Sequence, residues 1–181
     1  MPHSPDTILN FWFTELEPKD WFDKNTALDA LIRERFSEVH RQARHCELYA
    51  WRATPQGRLA EIIILDQFPR NMFRGDPRSF ATDPLALALA QEAVASKTDQ
   101  SLPVQQRAFL YMPFMHSESL AIHHVAMAVF NQPGLENNLA YEIRHKDIIE
   151  RFGRYPHRNE ILGRTSTAEE MEFLKQPGSG F

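Results

Sequence analysis

The stretch Leu59 to Gly75, LAEIIILDQFPRNMFRG, constrains this chain more than any other. Wound into a helix, it points Leu59, Ile62, Ile63, Ile64, Leu65 and Phe68 in nearly every direction. A helix that is apolar all round has to be buried. Asp66 nevertheless falls on the greasiest arc, between Ile62, Leu59 and Ile63, and Glu61 and Gln67 are hemmed in on other sides. A buried carboxylate persists only when it is paired or neutralised. The sequence therefore predicts partners for Asp66. Arg70, Asn71 and Arg74 follow closely after Pro69, and arginines and histidines gather near the C-terminus.

With 181 residues, the chain is expected to form a single helical domain, residues 1–181, with 175–181 as a frayed tail. A hydrophobic share of 43% and a charged share of 24% are ordinary for a globular protein. A net charge of −4 gives no reason to expect nucleic acid or an acidic membrane as partner. The lone Cys46 excludes an internal disulfide and suits a reducing cytoplasm. The opening MPHSPDTILNFWF lacks the basic region and long apolar run of a signal peptide, and Glu61 and Asp66 break the best membrane-span candidate.

Along the chain, Ser4-Pro5 predicts a capped short helix through Ile8, Leu9, Phe11 and Trp12, and Trp21-Phe22 an aromatic anchor on the core. Asn25 or Thr26 caps a long helix to about Glu47, with Leu28, Leu31, Ile32, Phe36 and Ala43 as its apolar stripe and His40 and His45 partly exposed. Thr54-Pro55 opens the buried helix, which Pro69 ends or kinks near Phe68. Further helices are expected from Leu85 to Ser96, from Pro103 to an interruption at Pro113, and from Glu118 to Gln132 behind a Ser117 cap. Asn137 caps a helix from Asn138 to Phe152, with Tyr141, His145, Ile148, Ile149 and Phe152 on its apolar arc and Gly153 as its stop. Ser166 and Glu169 have the spacing of a capping box for a last helix, Thr167 to Leu174. No β-branched alternation predicts a strand. The fold class is all-α, built of antiparallel helical pairs with short connections.

Three groups are candidates for chemistry. From Arg144 to Arg164, Arg144, Lys146, Arg151, Arg154, Arg158 and Arg164 outnumber Asp147, Glu150 and Glu160, and His145 and His157 join them. Planar guanidinium donors suit carboxylate or phosphate, but the same arginines would also neutralise Asp66, Glu61 and Glu118. Asp66 with Arg70, Asn71 and Arg74 is either a ligand-orienting group or a clamp on the Pro69 turn. His116-Ser117-Glu118 places a histidine at a helix start, as general acid or base or as part of a cap. No glycine-rich phosphate loop, nucleophile elbow or metal-ligand spacing is present, so no cofactor or metal is expected.

Four separated motifs, ILNFWF, LAEIIILDQFPRNMFRG, FLYMPFMHSESLA and HKDIIERFGRYPHRN followed by LGR and STAEEMEFL, resemble the bacterial domain-of-unknown-function family 924 from Ile8 to Leu174. The resemblance implies a tetratricopeptide-like stack of helical hairpins in a right-handed superhelix. It implies no activity, because the family has none assigned. The chain departs from the family pattern after Leu120, where AIHH replaces a more polar stretch. The leading expectation is one polar pocket for a small anionic ligand. His116, His157 and Glu118 are its acid–base candidates, and Asp66, Arg70, Asn71, Arg154, Arg158 and Asn159 its ligand contacts. The competing expectation is a peptide-docking groove without catalysis, with Trp12, Trp21, Tyr111 and Phe114 exposed in it.

Overall fold

The structure, a computed structural model, describes residues 3–180; Met1, Pro2 and Phe181, the last of these ending the expected frayed tail, lie outside the described residues. Among the described residues there are nine α-helices, joined by short 3-10 and π turns, and no strand. They pack as two compact units: Met1–Arg74 with Arg78–Pro113, and Gly75–Pro77 with Phe114–Phe181.

In the first unit, α1 (Pro5–Asn10) starts where Ser4 accepts from the Thr7 amide, and it runs into a π turn over Phe11–Glu15. Asn25 caps α2 (Thr26–Arg44) by accepting from the amides of Ala27 and Leu28. Thr54 caps α3 (Pro55–Asp66), and α4 (Phe68–Met72) restarts the helix after the break that Pro69 imposes. α5 (Asp83–Ala95) follows. α3 is the centre: it packs against α1, α2 and α5, and every residue from Leu59 to Asp66 is buried. A chain of rings fills the space beside it, with Phe11 to Phe36 and Phe36 to Phe68 each at 4.8 Å and Trp12 to Phe109 at 5.7 Å. Gly57 is there because a Cβ would stand 1.9 Å from the Trp51 carbonyl oxygen, where the 3-10 turn Tyr49–Ala53 crosses α3.

The charges around this core are matched locally. Arg52 grips the buried Glu61 with two bonds of 2.7 Å. Arg70 bonds Asp83 through both terminal nitrogens and lies 3.7 Å from Asp66, whose carboxylate also accepts from Gln67. Asn71 and Arg74, expected near Asp66, bond Asp29 of α2 instead. Asn71 and Arg74, three residues apart, turn to one side and Arg70 to another, so one cluster in sequence serves separate carboxylates.

Several expectations need correction. Phe22 is 70% exposed, and only Trp21 anchors, its ring 4.9 Å from Phe109 and its Nε1 donating to the Trp12 carbonyl. Leu31 faces solvent, while His40 is buried against Phe73. α2 stops at Arg44 because the chain enters a tight turn in which Cys46 has φ 58°. α6 (Val104–Met115) passes through Pro113 without interruption; the buried Leu110, Tyr111, Phe114 and Met115 on either side hold the helix despite the missing donor. Trp12, Tyr111 and Phe114 are core residues, not groove residues.

Candidate functional site

The second unit is built on a helical hairpin, α7 (Leu120–Phe130) and α8 (Glu136–Phe152), closed by α9 (Ala168–Phe173). α7 starts two residues later than expected, behind Ser119, so Glu118 lies ahead of the helix rather than in its first turn. α8 starts at Glu136, before the expected Asn137 cap, and its buried face is rotated from the expected arc: Glu142, His145, Ile148 and Ile149 point inward and Tyr141 is exposed. The last capping box is Thr167 with Glu170, one residue beyond Ser166 and Glu169. Gly153, in the left-handed region at φ 68°, ends α8 and returns the chain so that Tyr155 packs with Ile148 and Ile149.

Tyr155 is the hub. Its ring is fully buried, and its hydroxyl donates to the Met115 carbonyl and lies 3.2 Å from His123 Nε2. The Arg158 guanidinium sits over the ring, 4.6 Å from its centre. His157 and His145 pack on it at 5.6 and 5.7 Å. His145 is buried, with Nδ1 2.8 Å from the Tyr141 carbonyl of its own helix. Burial above all, with Arg158 and the histidine side chains His116 and His123 nearby, drives its pKa down to about 3 despite that hydrogen bond. His145 is therefore a neutral imidazole among basic neighbours.

A clasp of carboxylates and guanidiniums closes around this hub. Glu118 accepts from the Tyr155 amide at 2.7 Å and from Arg164 at 2.7 and 2.9 Å. Burial pushes its carboxyl up, but Arg164, the Tyr155 amide and the charge of Arg158 outweigh that and leave its pKa below the ordinary range. Arg164 also donates to Asn159, and Asn159 donates to Ser166 and Glu170. Arg154 bonds Glu170 at 2.6 and 2.8 Å, which brings the Glu170 pKa down to about 2. Ser179 in the tail is buried and donates to the Leu174 carbonyl.

Of the residues expected to form a site, His116, Glu118, Arg154, His157, Arg158 and Asn159 belong to this unit, and Asp66, Arg70 and Asn71 to the first. Arg154 and Asn159 direct their donors into the clasp. Sequence reasoning missed two residues. His123 and Glu142, both with 0% side-chain exposure, meet at 2.7 Å. The signal was available: His123 shares a helical face with the buried Ala126 and Phe130, and Glu142 shares one with His145 and Ile149. Among the described residues, no group of three or more His, Cys, Asp or Glu is placed to hold a metal ion, and no helix is long and apolar enough to cross a membrane.

Residues 8–178 match the family described as bacterial protein of unknown function, DUF924. The chain belongs to that family. It is also similar to a solved structure from Agrobacterium tumefaciens, itself described as a protein of unknown function. The two are 42% identical over 94% of this chain and 96% of that one, with a TM-score of 0.89. No curated protein matches the chain. The family therefore supports the all-helical fold and leaves the chemistry to be argued from the residues around Tyr155.

Proposed function

We propose that the second unit binds a small anion, a carboxylate or a phosphate, on the basic side of Tyr155, with Arg158, His157 and His116 as its contacts. The observation that carries this reading is the stack on Tyr155, where the Arg158 guanidinium lies 4.6 Å from the ring centre and His157 packs at 5.6 Å. That is a local positive field in a chain whose net charge is −4. Such a field concentrates anions. Arg158 brings a permanent charge and planar donors that match carboxylate or phosphate geometry. His116 and His157, both half-buried, are placed to give or take a proton from a bound ligand. Glu118 serves differently: ionised and holding Arg164 and the Tyr155 amide, it positions the site instead of moving protons.

The test is thermal melting and calorimetric titration with inorganic phosphate and with acetate, on the wild type and on Arg158→Gln. At least one anion should raise the wild-type melting temperature, and Arg158→Gln should lose that gain while Arg144→Ala, an exposed arginine on α8, keeps it. If neither anion binds the wild type, or if Arg158→Gln responds like it, the reading fails.

A second reading, a tetratricopeptide-like groove for an extended peptide, is favoured by one observation. α7 and α8 leave Val125, Tyr141 and Ile143 open to solvent, at 43%, 53% and 43% exposure. It predicts that a Tyr141→Ser, Ile143→Ser variant loses a partner without losing anion binding.

A further inference from the structure

We infer that Glu142 and His123 hold a single shared proton, and that this proton positions Tyr155 and the Ser117–Glu118 turn for the candidate anion site. Only the last step rests on the anion reading; the proton follows from bonding geometry. His123 Nε2 lies 2.8 Å from the Ser117 carbonyl oxygen and 3.2 Å from the Tyr155 hydroxyl. A carbonyl oxygen can only accept, and the Tyr155 hydroxyl sends its own hydrogen to the Met115 carbonyl. Nε2 therefore carries a hydrogen. Nδ1 faces Glu142 Oε1 at 2.7 Å, and that contact needs one hydrogen and admits no second. With none, two lone pairs would oppose each other out of water; with two, donors would collide.

The environment places that hydrogen on the carboxyl. Glu142 is fully buried, and its Oε2 has no hydrogen-bond partner among the described residues. A full negative charge there would be poorly solvated. Burial accordingly raises the Glu142 pKa, with His123 and Lys146 offsetting only part of the rise. The groups around the pair are basic or already engaged. Lys146 stands one turn along α8, His145 shares the inner face, and His116 and Arg158 act on His145. Glu118 is tied to Arg164.

The consequence is a pH dependence with a fixed sign. In the unfolded chain a glutamate titrates near 4.3 and a histidine near 6.5, so between about pH 4.3 and pH 6.5 the unfolded pair also holds one proton and the pair's own contribution to stability is level. Above about pH 6.5 the unfolded pair holds none while the folded pair keeps one, and the folding equilibrium constant falls by up to about tenfold per pH unit. The pair is therefore a latch that closes below neutrality and strains above it. Tyr155, which carries Arg158, His157 and His145 on its ring, is what it holds.

Urea denaturation of the ligand-free full chain from about pH 5 to about pH 9, on the wild type and Glu142→Gln, tests the latch. The glutamine amide donates permanently to Nδ1, so the variant should be level above neutrality where the wild type loses stability. His40 and His145 titrate alike in both proteins and drop out of the difference. Parallel curves overturn the inference. If Glu142→Gln does not fold, nitrogen NMR of the wild-type histidines decides: His123 should carry its hydrogen on Nε2 at about pH 6 and about pH 8, and a bare Nε2 overturns it. Sulfate titrations, with a ligand charge constant across this range, test the last step. Wild-type sulfate affinity should weaken more steeply along the alkaline limb than that of Glu142→Gln, because the histidines that contact the anion are common to both proteins; parallel slopes overturn the positioning role. No sulfate binding at all, with the stability difference intact, overturns the anion reading and leaves the proton in place.

Discussion

The two units answer the same problem in opposite ways. The first is held by rings and aliphatic side chains around α3, and its few buried carboxylates are matched one by one, Glu61 by Arg52 and Asp29 by Arg74 and Asn71. The second has Ile148, Ile149 and Tyr155 as its apolar cluster and fills much of its interior with His123, Glu142, His145, Asn159 and Arg158. Hydrogen bonds there do what packing does in the first unit. Apolar contact is indifferent to direction and tolerates small shifts. A buried polar network holds its geometry only while each member keeps its partner.

That contrast can be broken by substitution. Phe68→Ala, which removes a ring touching Phe11, Trp12 and Phe36, should cost about 3–5 kcal/mol in urea denaturation. It should leave anion-induced stabilisation of the remaining folded fraction unchanged. Glu118→Ala should cost about 2 kcal/mol by leaving Arg164 and the Tyr155 amide without their acceptor. Unlike Phe68→Ala, it should also weaken phosphate or acetate binding measured by calorimetry. If the two variants affect binding alike, the division of labour between the units is wrong.

Acid sharpens the comparison at a smaller scale. His40 in the first unit is held neutral, its pKa lowered to about 4 by burial and by Arg44, and His145 in the second is lowered to about 3. Because each folded pKa lies below the unfolded value near 6.5, the unfolded chain binds more protons as pH falls through that window. Stability should therefore drop between about pH 6.5 and pH 4. His40→Phe, which keeps a ring against Phe73, should flatten part of that limb without touching the alkaline one. The smallest effect is expected at Lys175, whose exposed pair with Glu172 makes Lys175→Ala worth less than about 0.5 kcal/mol in the same denaturation assay.

Much of the fold was legible in the residues themselves. Ser4-Pro5, Asn25 and Thr54 announce helix starts by local chemistry, and Gly153 announces a stop. The run from Leu59 to Leu65 announces its own burial because no orientation of that helix leaves it a polar face. Where the reading slipped, the competing signal was close by. The apolar pattern puts Tyr141 on the inner arc of α8, whereas the helix turns Glu142 inward and leaves Tyr141 exposed; an apolar pattern alone does not favour a glutamate. The Ser166–Glu169 spacing imitates the Thr167–Glu170 box that forms. The candidate residues Arg158, His157, His116 and Glu118 were legible as a list, but the meeting of Arg158, His157 and Glu118 at Tyr155 was not.

Helical periodicity and capping chemistry act over a few residues, so the sequence by itself determined that this chain is helical, where most helices begin, and that its stranded polar groups need company. It did not determine which company. Asp29 meets Arg74 across 45 positions and Glu118 meets Arg164 across 46, and a local pattern carries no record of such distances. Only the tertiary structure decided those pairs. It alone decided the proton between Glu142 and His123, because the count of hydrogens on a buried imidazole follows from which oxygens surround it.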